Sequence, residues 1–165
     1  MGDDPGQQHP KLARVRAAAA SAGLHIEVQR FPEGTRTAAD AARAVGCDVA
    51  QIVKSLVFMA DGEPVLALLS GADRLDPALL ASAMSAAVVR RADGDEARAA
   101  TGFAIGGVPP IGHARPLTVL IDERLLAHEV VWAAAGLPDA VFSASPRALQ
   151  AAAGARVAAL AATSD

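Results

Sequence analysis

The sequence predicts an α/β fold of mixed α+β type: a single domain with a mixed, largely antiparallel sheet, curled or closed toward a barrel, and helices packed outside. Three observations lead to this prediction. Apolar runs typical of strands intermix with Ala-rich segments that carry helix start and stop signals. The two kinds of segment follow no strict βαβ order, and a length of 165 residues suits one domain with one core.

Helix start and stop residues delimit the helical segments. Pro10 suits a first helical turn, and Thr37 with Asp40 has the spacing of a capping box. Such signals predict helices over 10–22, 37–46, 76–83, 93–102 and 145–154. Short helical turns are expected after Asp48 and after Asp122.

Apolar and β-branched runs predict the strands. They are expected over 24–29, 52–59, 64–69, 88–90, 117–121, 130–135 and 140–144. Asp61-Gly62 has hairpin-turn chemistry, so the second and third strands should pair antiparallel. Pro32-Glu-Gly34 should end the first strand, and residues 1–9 are expected to form a disordered leader before a domain over 10–165.

Composition argues against several classes of protein. Charged residues make up 20% of the chain and the formal net charge is -3, unlike the broad basic surface that grips nucleic acid through phosphates. We therefore expect no DNA partner, and any RNA contact must be local. A single cysteine, Cys47, favours a reducing cytoplasm, and no apolar run is long enough to span a membrane. The four histidines lack metal-ligand spacing, so we expect neither metal nor cofactor.

Residues 101–113 form the most distinctive stretch, Thr-Gly-Phe-Ala-Ile-Gly-Gly-Val-Pro-Pro-Ile-Gly-His. Its glycines and prolines disfavour a regular helix or an interior strand. Gly106 and Gly107 can take positive φ or let another group approach the backbone, while Pro109 and Pro110 restrict the chain. The pattern predicts a stiff loop that presents main-chain N–H and C=O groups, although many such segments are only connections.

Lys54 stands out because thirteen of the fifteen basic residues are arginine and only Lys11 shares its type. On a strand it would share a face with Ile52, Leu56 and Phe58, which ought to be buried. Its amine would then have a lowered pKa, find a partner, or point into a wet pocket. Alternatively, Lys54 caps the preceding turn or extends its amine to the surface. The residues alone leave these interpretations open.

Five segments together resemble the YbaK/prolyl-tRNA-synthetase-associated domain family over about residues 12–160. They are 35–38 (Thr-Arg-Thr-Ala), 51–57 (Gln-Ile-Val-Lys-Ser-Leu-Val), Ser70-Gly71, the loop through Gly112, and 131–136 (Val-Trp-Ala-Ala-Ala-Gly). The resemblance implies an editing domain over 10–165 that hydrolyses the ester of mischarged aminoacyl-tRNA. Members of this family carry a strand lysine and a Gly-x-x-x-Pro loop, which fall here on Lys54 and on 106–110.

The resemblance also implies the site residues. The catalytic set is Lys54, Gly106, Gly107 and Val108, and the substrate-binding set is Thr37, Ser55, Ser70, Gly71, Pro109, Pro110, Gly112, His113 and Gly136. Main-chain N–H groups of the loop would stabilise the oxyanion, Lys54 would hold the aminoacyl carbonyl or the terminal phosphate and ribose, and water would be the nucleophile. His113 is either a contact to RNA at the rim or a solvated side chain.

The expected partners are the acceptor end of a mischarged tRNA and an aminoacyl-tRNA synthetase that delivers it. We expect a small amino acid such as Ala, Ser, Thr or Cys, on a tRNA such as that for proline. Ser55 differs from the asparagine that other members carry after the lysine, so the amino-acid preference does not transfer. The alternative function is a non-catalytic module that binds an aminoacyl-tRNA end or a small ligand in the same pocket.

Overall fold

A computed structural model describes residues 9–31 and 37–163 of the chain. Its helices begin at the predicted caps. Thr37 N–H donates to Asp40 Oδ2 at 3.2 Å, while Asp40 N–H donates to Thr37 Oγ1 at 3.1 Å, which completes the capping box. The helices in these ranges are α1 Pro10–Ser21, α2 Ala38–Val45, α3 Pro77–Met84, α4 Gly94–Thr101 and α5 Pro146–Ala153.

The strands form two sheets. The strands are β1 Val28–Arg30, β2 Val53–Ala60, β3 Glu63–Ser70, β4 Val89–Arg91, β5 Thr118–Asp122, β6 Val131–Ala134, β7 Ala140–Ala144 and β8 Arg156–Ala158. The large sheet has the order β4-β2-β3-β5-β8, and the small sheet has the order β1-β7-β6. Pairing is antiparallel except between β3 and β5 and between β5 and β8.

The β2–β3 hairpin is the centre of the large sheet. Its turn has positive φ at both Asp61 (48°) and Gly62 (82°), as the Asp-Gly pair predicts. The hairpin pairs in register from Val53 with Ser70 to Ala60 with Glu63. Because β4 pairs with β2 only at residues 58–60, the opposite end of β2 is left without a neighbour on that side within the large sheet.

The large sheet carries a hydrophobic core on each face. One face, with Val57 and Leu66, packs against the small sheet, α1 and Phe103. The other face, with Phe58 and Leu69, packs against Leu80 of α3 and the segment around Leu160. A third cluster joins α2 to Ile52 and Trp132, so α2 covers one end of the two sheets.

The mixed, largely antiparallel single-domain fold is confirmed, with two sheets that do not close into a barrel. The first strand is shorter than predicted, because residues 24–27 pack as irregular chain before β1. Strand β8, Arg156–Ala158, is not predicted by the sequence pattern. The predicted turn at Pro32-Glu-Gly34 and the predicted leader, apart from residue 9, lie outside the described residues. None of the helices in the described ranges has the length and apolar character needed to cross a membrane.

Candidate active site

A cavity of about 340 Å³ opens between the N-terminal half of β2, the small sheet, α2 and the glycine–proline loop. Its walls are mostly apolar, and its polar groups come mainly from β2, β4 and the start of α2. The lining residues are Thr37, Ala38, Ala41, Ile52, Val53, Lys54, Ser55, Leu56, Arg91, Ile105, Gly106, Val108, Trp132, Ala133, Ala134, Pro138, Ala140 and Val141. We call this cavity the β2 pocket.

The β2 pocket exists because β4 is short. Beyond Phe58, which pairs with Arg91, β2 has no partner from β4, and the small sheet approaches it instead through a bridge between Ile52 and Trp132. Between these two contacts, the edge of β2 at 54–56 faces the pocket. The structure thus places two consecutive predicted site residues, Lys54 and Ser55, in one wall.

Lys54 is half-buried, and its Nζ donates to the main-chain carbonyl of Asp73. Burial lowers the pKa of the Lys54 amine by disfavouring the charged form; Asp73 opposes this shift, while Arg91 and Arg74 lower the pKa further. Arg124 Nη1 lies 3.1 Å from Asp73 Oδ1, so the nearby carboxylate already has a cationic partner. Of the alternatives left open by the sequence, the structure supports a lysine with both a partner and a lowered pKa.

Ser55 presents a hydroxyl group that is buried yet has no hydrogen-bond partner among the described residues. Its side chain belongs to the face of β2 that includes Val57, opposite to the Lys54 face. A second, small cavity of about 20 Å³ is lined by Ser55 together with Arg91, Ile105 and Val108. An unpaired buried hydroxyl costs folding free energy unless a ligand or water satisfies it.

The loop meets the pocket through a tight turn over 104–107. Gly107 N–H donates to the Ala104 carbonyl at 2.9 Å, and Gly106 has a φ of 97°, which favours glycine at the third position of such a turn. Within the described part of the chain, the N–H groups of Gly106 and Val108 have no hydrogen-bond partner. The exposed Ile105 lies at the pocket mouth.

Gly107 lets another part of the main chain approach its backbone closely. Its φ is not positive, and its N–H is already used within the turn. A Cβ at this position would lie 3.0 Å from the Gly136 carbonyl oxygen and 3.1 Å from the main chain of Leu137. Gly107 therefore lets the loop pack against the turn after β6, and it is not among the pocket-lining residues.

Ser70 and Gly71 pack against residues that line the pocket: Ser70 pairs with Val53, and Gly71 lies against Ala38 and Ile52. Ser70 is buried, and its hydroxyl donates to the Ala50 carbonyl at 2.8 Å. A Cβ on Gly71 would lie 2.6 Å from the Val49 carbonyl oxygen and 2.9 Å from Ala38 Cβ. Neither residue lines the pocket, so the structure gives both a packing role.

Other predicted residues lie away from the β2 pocket. Pro110, Gly112 and His113 line a separate open cavity of about 360 Å³ between α1, α5 and the chain before β5. His113 Nε2 lies 2.8 Å from the Pro109 carbonyl oxygen, and burial lowers the pKa of the imidazole. His113 is therefore partly buried, with one ring nitrogen at a main-chain carbonyl, and its contact to RNA stays a prediction.

Gly136 and Pro109 also stay outside the lining. Gly136 has a φ of 108°, and a Cβ there would lie 3.0 Å from the Phe103 ring and 3.1 Å from the Lys11 carbonyl oxygen. Pro109 is buried and contributes the carbonyl that holds His113. Of the thirteen predicted residues, the pocket gathers five: Thr37, Lys54, Ser55, Gly106 and Val108.

Sequence reasoning missed Arg91 and Trp132 as pocket residues. Trp132 is the only tryptophan in the chain and belongs to the 131–136 motif, so its rarity is a signal that the sequence offers. Arg91 carried no signal, because its place depends on the register of β4 against β2. Within residues 9–31 and 37–163, no three His, Cys, Asp or Glu side chains group as a metal site would require.

The described residues form a small mixed α/β domain with a pocket between two sheets, edged by a strand lysine and a glycine turn. Comparison with known proteins agrees with this description. The family model for the aminoacyl-tRNA editing domain matches residues 32–152, and the chain belongs to that family.

Two groups of similar proteins bear on the function. The chain is 37% identical to proline–tRNA ligase of Acidithiobacillus ferrooxidans over 103 residues, 62% of this chain and 18% of the ligase. It is 32% identical to proline–tRNA ligase of Streptococcus pyogenes over 90 residues, 54% of this chain and 15% of the ligase. The chain thus spans less than a fifth of the length of these curated relatives.

A solved structure, described as a candidate trans-editing enzyme for prolyl tRNA synthetase, is similar along almost the whole chain. It has a TM-score of 0.88 and 46% sequence identity, and the match covers 93% of this chain and 98% of that one. The similarity to a protein of this size, as well as to a small part of the ligases, places the fold among editing domains.

Proposed function

We propose that the protein is a trans-acting aminoacyl-tRNA deacylase, which hydrolyses the ester of a mischarged tRNA in the cytoplasm. The observation that carries this proposal is the convergence of unpaired polar groups in the β2 pocket of an editing-domain chain. These groups are the Ser55 hydroxyl and the N–H groups of Gly106 and Val108, and Lys54 lines the same pocket. Unpaired donors around an apolar cavity suit a ligand that brings oxygen atoms.

The chemistry requires few side chains. Water attacks the ester carbonyl carbon, the carbonyl oxygen becomes an oxyanion, and the bond to the ribose oxygen then breaks. The ribose oxygen takes up a proton, leaving a free tRNA hydroxyl and a free amino acid. N–H groups of Gly106 and Val108 would donate to the oxyanion, and the Lys54 amine, held at the Asp73 carbonyl, would orient the terminal nucleotide.

Pocket size supports a small amino acid as the edited residue. A volume of about 340 Å³ lies at the lower end of ligand pockets, and the terminal ribose must share the mouth with the aminoacyl group. The inner walls come from Ala133, Ala140 and Val141 of the small sheet, which offer apolar contact. Ala, Ser, Thr or Cys would suit this space, and Ser55 adds one polar group to it.

The similarity to proline–tRNA ligases and to a candidate trans-editing enzyme for prolyl tRNA synthetase supports tRNA for proline as the carrier. A synthetase that releases a mischarged product would then be the partner that supplies the substrate. Both are part of the proposal.

A deacylation panel tests this function. The purified protein would be incubated with tRNA for proline charged with Ala, Ser, Thr, Cys or Pro, and the loss of ester followed with time. We expect rapid hydrolysis of at least one small mischarged product and little hydrolysis of the prolyl ester. Tight binding of a charged tRNA with no faster hydrolysis than in buffer would instead support the non-catalytic binding module. One observation favours that module: the Lys54 amine already donates a hydrogen bond to the main-chain carbonyl of Asp73.

A further inference from the structure

Two arginines near Lys54 carry positive charge that the protein itself does not neutralise: Arg91 lines the β2 pocket, and Arg74 lies beside it, next to Asp73. Arg74 and Arg91 both act electrostatically on Lys54. Among the described residues, neither guanidinium group has a hydrogen-bond or salt-bridge partner, although the main-chain carbonyls of both arginines accept hydrogen bonds. Asp73 is already paired with Arg124. In a chain whose formal net charge is -3, this local excess of cations is a specific feature.

Sheet topology places the two arginines on opposite sides of Lys54. β2 lies between β4 and β3 in the large sheet. Arg91, on β4, pairs directly with Phe58, so its side chain shares the face of β2 that carries Lys54. Arg74 follows the end of β3, next to the carbonyl that accepts the Lys54 amine.

The neighbouring residue, Arg90, is in contrast neutralised by a carboxylate. Arg90 points to the opposite face of β4, and its two terminal nitrogens lie 2.8 and 2.7 Å from the carboxylate of Glu96. Arg91, one residue further, lines the β2 pocket. Like charges held close together destabilise the fold unless an anion joins them, and guanidinium groups bind phosphate in a bidentate manner.

We propose that Arg74 and Arg91 bind a phosphate group at the 3′ end of an RNA chain, so that the terminal nucleoside enters the β2 pocket. This inference rests on the proposed function, because it names the part of the tRNA that the same site recognises. It assigns phosphate recognition to two residues outside the loop and assigns only orientation of the nucleoside to Lys54.

The test uses the fluorescence of Trp132, the only tryptophan, which lines the pocket and should report its occupancy. Adenosine 5′-monophosphate and adenosine would be titrated separately, since they differ only in the phosphate. We expect the nucleotide to bind about tenfold more tightly than the nucleoside. Arg91→Gln and Arg74→Gln should each reduce that difference, whereas the control Arg90→Gln, with the same change of charge, should keep it.

Several results would overturn the proposal. They are equal binding of nucleotide and nucleoside by the wild-type protein, no response to either probe, and equal effects of Arg90→Gln and Arg91→Gln. Displacement of the nucleotide by inorganic phosphate at equal concentration would indicate a general anion site and would also overturn it.

A second measurement separates this inference from the proposed function. The salt dependence of binding to uncharged tRNA should become shallower by about one counterion in Arg91→Gln and stay unchanged in Arg90→Gln. If Arg91→Gln loses binding but the wild-type protein deacylates no mischarged tRNA, the phosphate site stands and the proposed function fails. If deacylation is fast and Arg91→Gln changes neither binding nor KM, the proposed function stands and this inference fails.

Discussion

Replacing Lys54 with Met is the most informative single change, because it removes the ammonium and keeps most of the apolar stem. The variant loses a charge-assisted hydrogen bond to the Asp73 carbonyl, an interaction worth about 1.5–3 kcal/mol. It also relieves the burial of a charge and the repulsion from Arg74 and Arg91. Since these contributions oppose each other, we expect the free energy of unfolding to change by no more than about 1 kcal/mol.

Activity should respond much more strongly than stability. If the Lys54 amine orients the terminal nucleoside that carries the ester, its loss should lower kcat/KM by about a hundredfold or more, as for loss of a single active-site donor. Lys54→Arg keeps the charge but carries a wider planar group, so it should restore little. The control is Lys11→Met, at the only other lysine, which lies in the first turn of α1.

Stability against pH gives an independent measurement of the same residue. Because the pKa of Lys54 is lowered in the folded protein, the unfolded chain binds more protons over the interval between the lowered pKa and lysine's ordinary one. The destabilisation is complete below this interval and is lost as the pH rises through it, so wild-type stability should rise there. Lys54→Met should lack this rise. A Lys54→Met protein with normal deacylation would remove the lysine from the mechanism.

Three further predictions follow from packing and burial. Gly71→Ala should cost about 3 kcal/mol in a urea titration, because its Cβ would lie 2.6 Å from the main-chain oxygen of Val49. Gly107→Ala should cost less, about 1–2 kcal/mol, but should lower kcat/KM by roughly tenfold to a hundredfold, because the turn that holds Gly106 must shift. Burial lowers the pKa of His113, so wild-type stability should fall as the pH drops through histidine's ordinary value of 6.5, and His113→Gln should lose part of that dependence.

Each of these predictions has a matched control. Gly94→Ala adds a methyl group where nothing lies within 4 Å, at the start of α4, and should be neutral or stabilise the protein by about 0.5–1 kcal/mol. His25→Gln serves for the histidine experiment. A stable Gly71→Ala, a fully active Gly107→Ala, or identical pH curves for the wild-type and His113→Gln proteins would each contradict the corresponding argument.

Local signals explain why much of the fold could be predicted. The caps at Thr37 and Asp93 form the reciprocal hydrogen bonds expected of capping boxes, and Gly46, Gly102 and Gly154 end their helices in the left-handed conformation. Each such signal depends on residues within four positions of each other. Such a signal can therefore be recognised from the sequence alone.

The missed features depend on distant contacts. Strand β8 has only three residues, of which Arg156 and Val157 are exposed, so no apolar alternation marks it, and it forms because β5 offers a free parallel edge. The division into two sheets likewise depends on pairing between strands that lie far apart in the sequence, such as β1 with β7.

The candidate site was predictable in its motifs and less so in its geometry. Lys54, Ser55 and Gly106 meet in one pocket, as their association in the motifs suggested, but their roles stay predictions. Positions 71 and 107 both require glycine, but the reason is close packing against main chain and not contact with a ligand. Only the fold reveals whether a glycine faces a ligand or another part of the protein.

The buried carboxylate of Asp122, the last residue of β5, links the packing of this strand to the segment around Leu160 near the end of the described residues. Its side chain is 1% exposed, and its Oδ1 accepts hydrogen bonds from Leu160 N–H at 2.7 Å and Ala161 N–H at 3.1 Å. These donors lie 38 and 39 residues further along the chain, so burying Asp122 before they arrive would leave a charge without these partners. We therefore expect the end of β5 to reach its final packing together with the segment around Leu160.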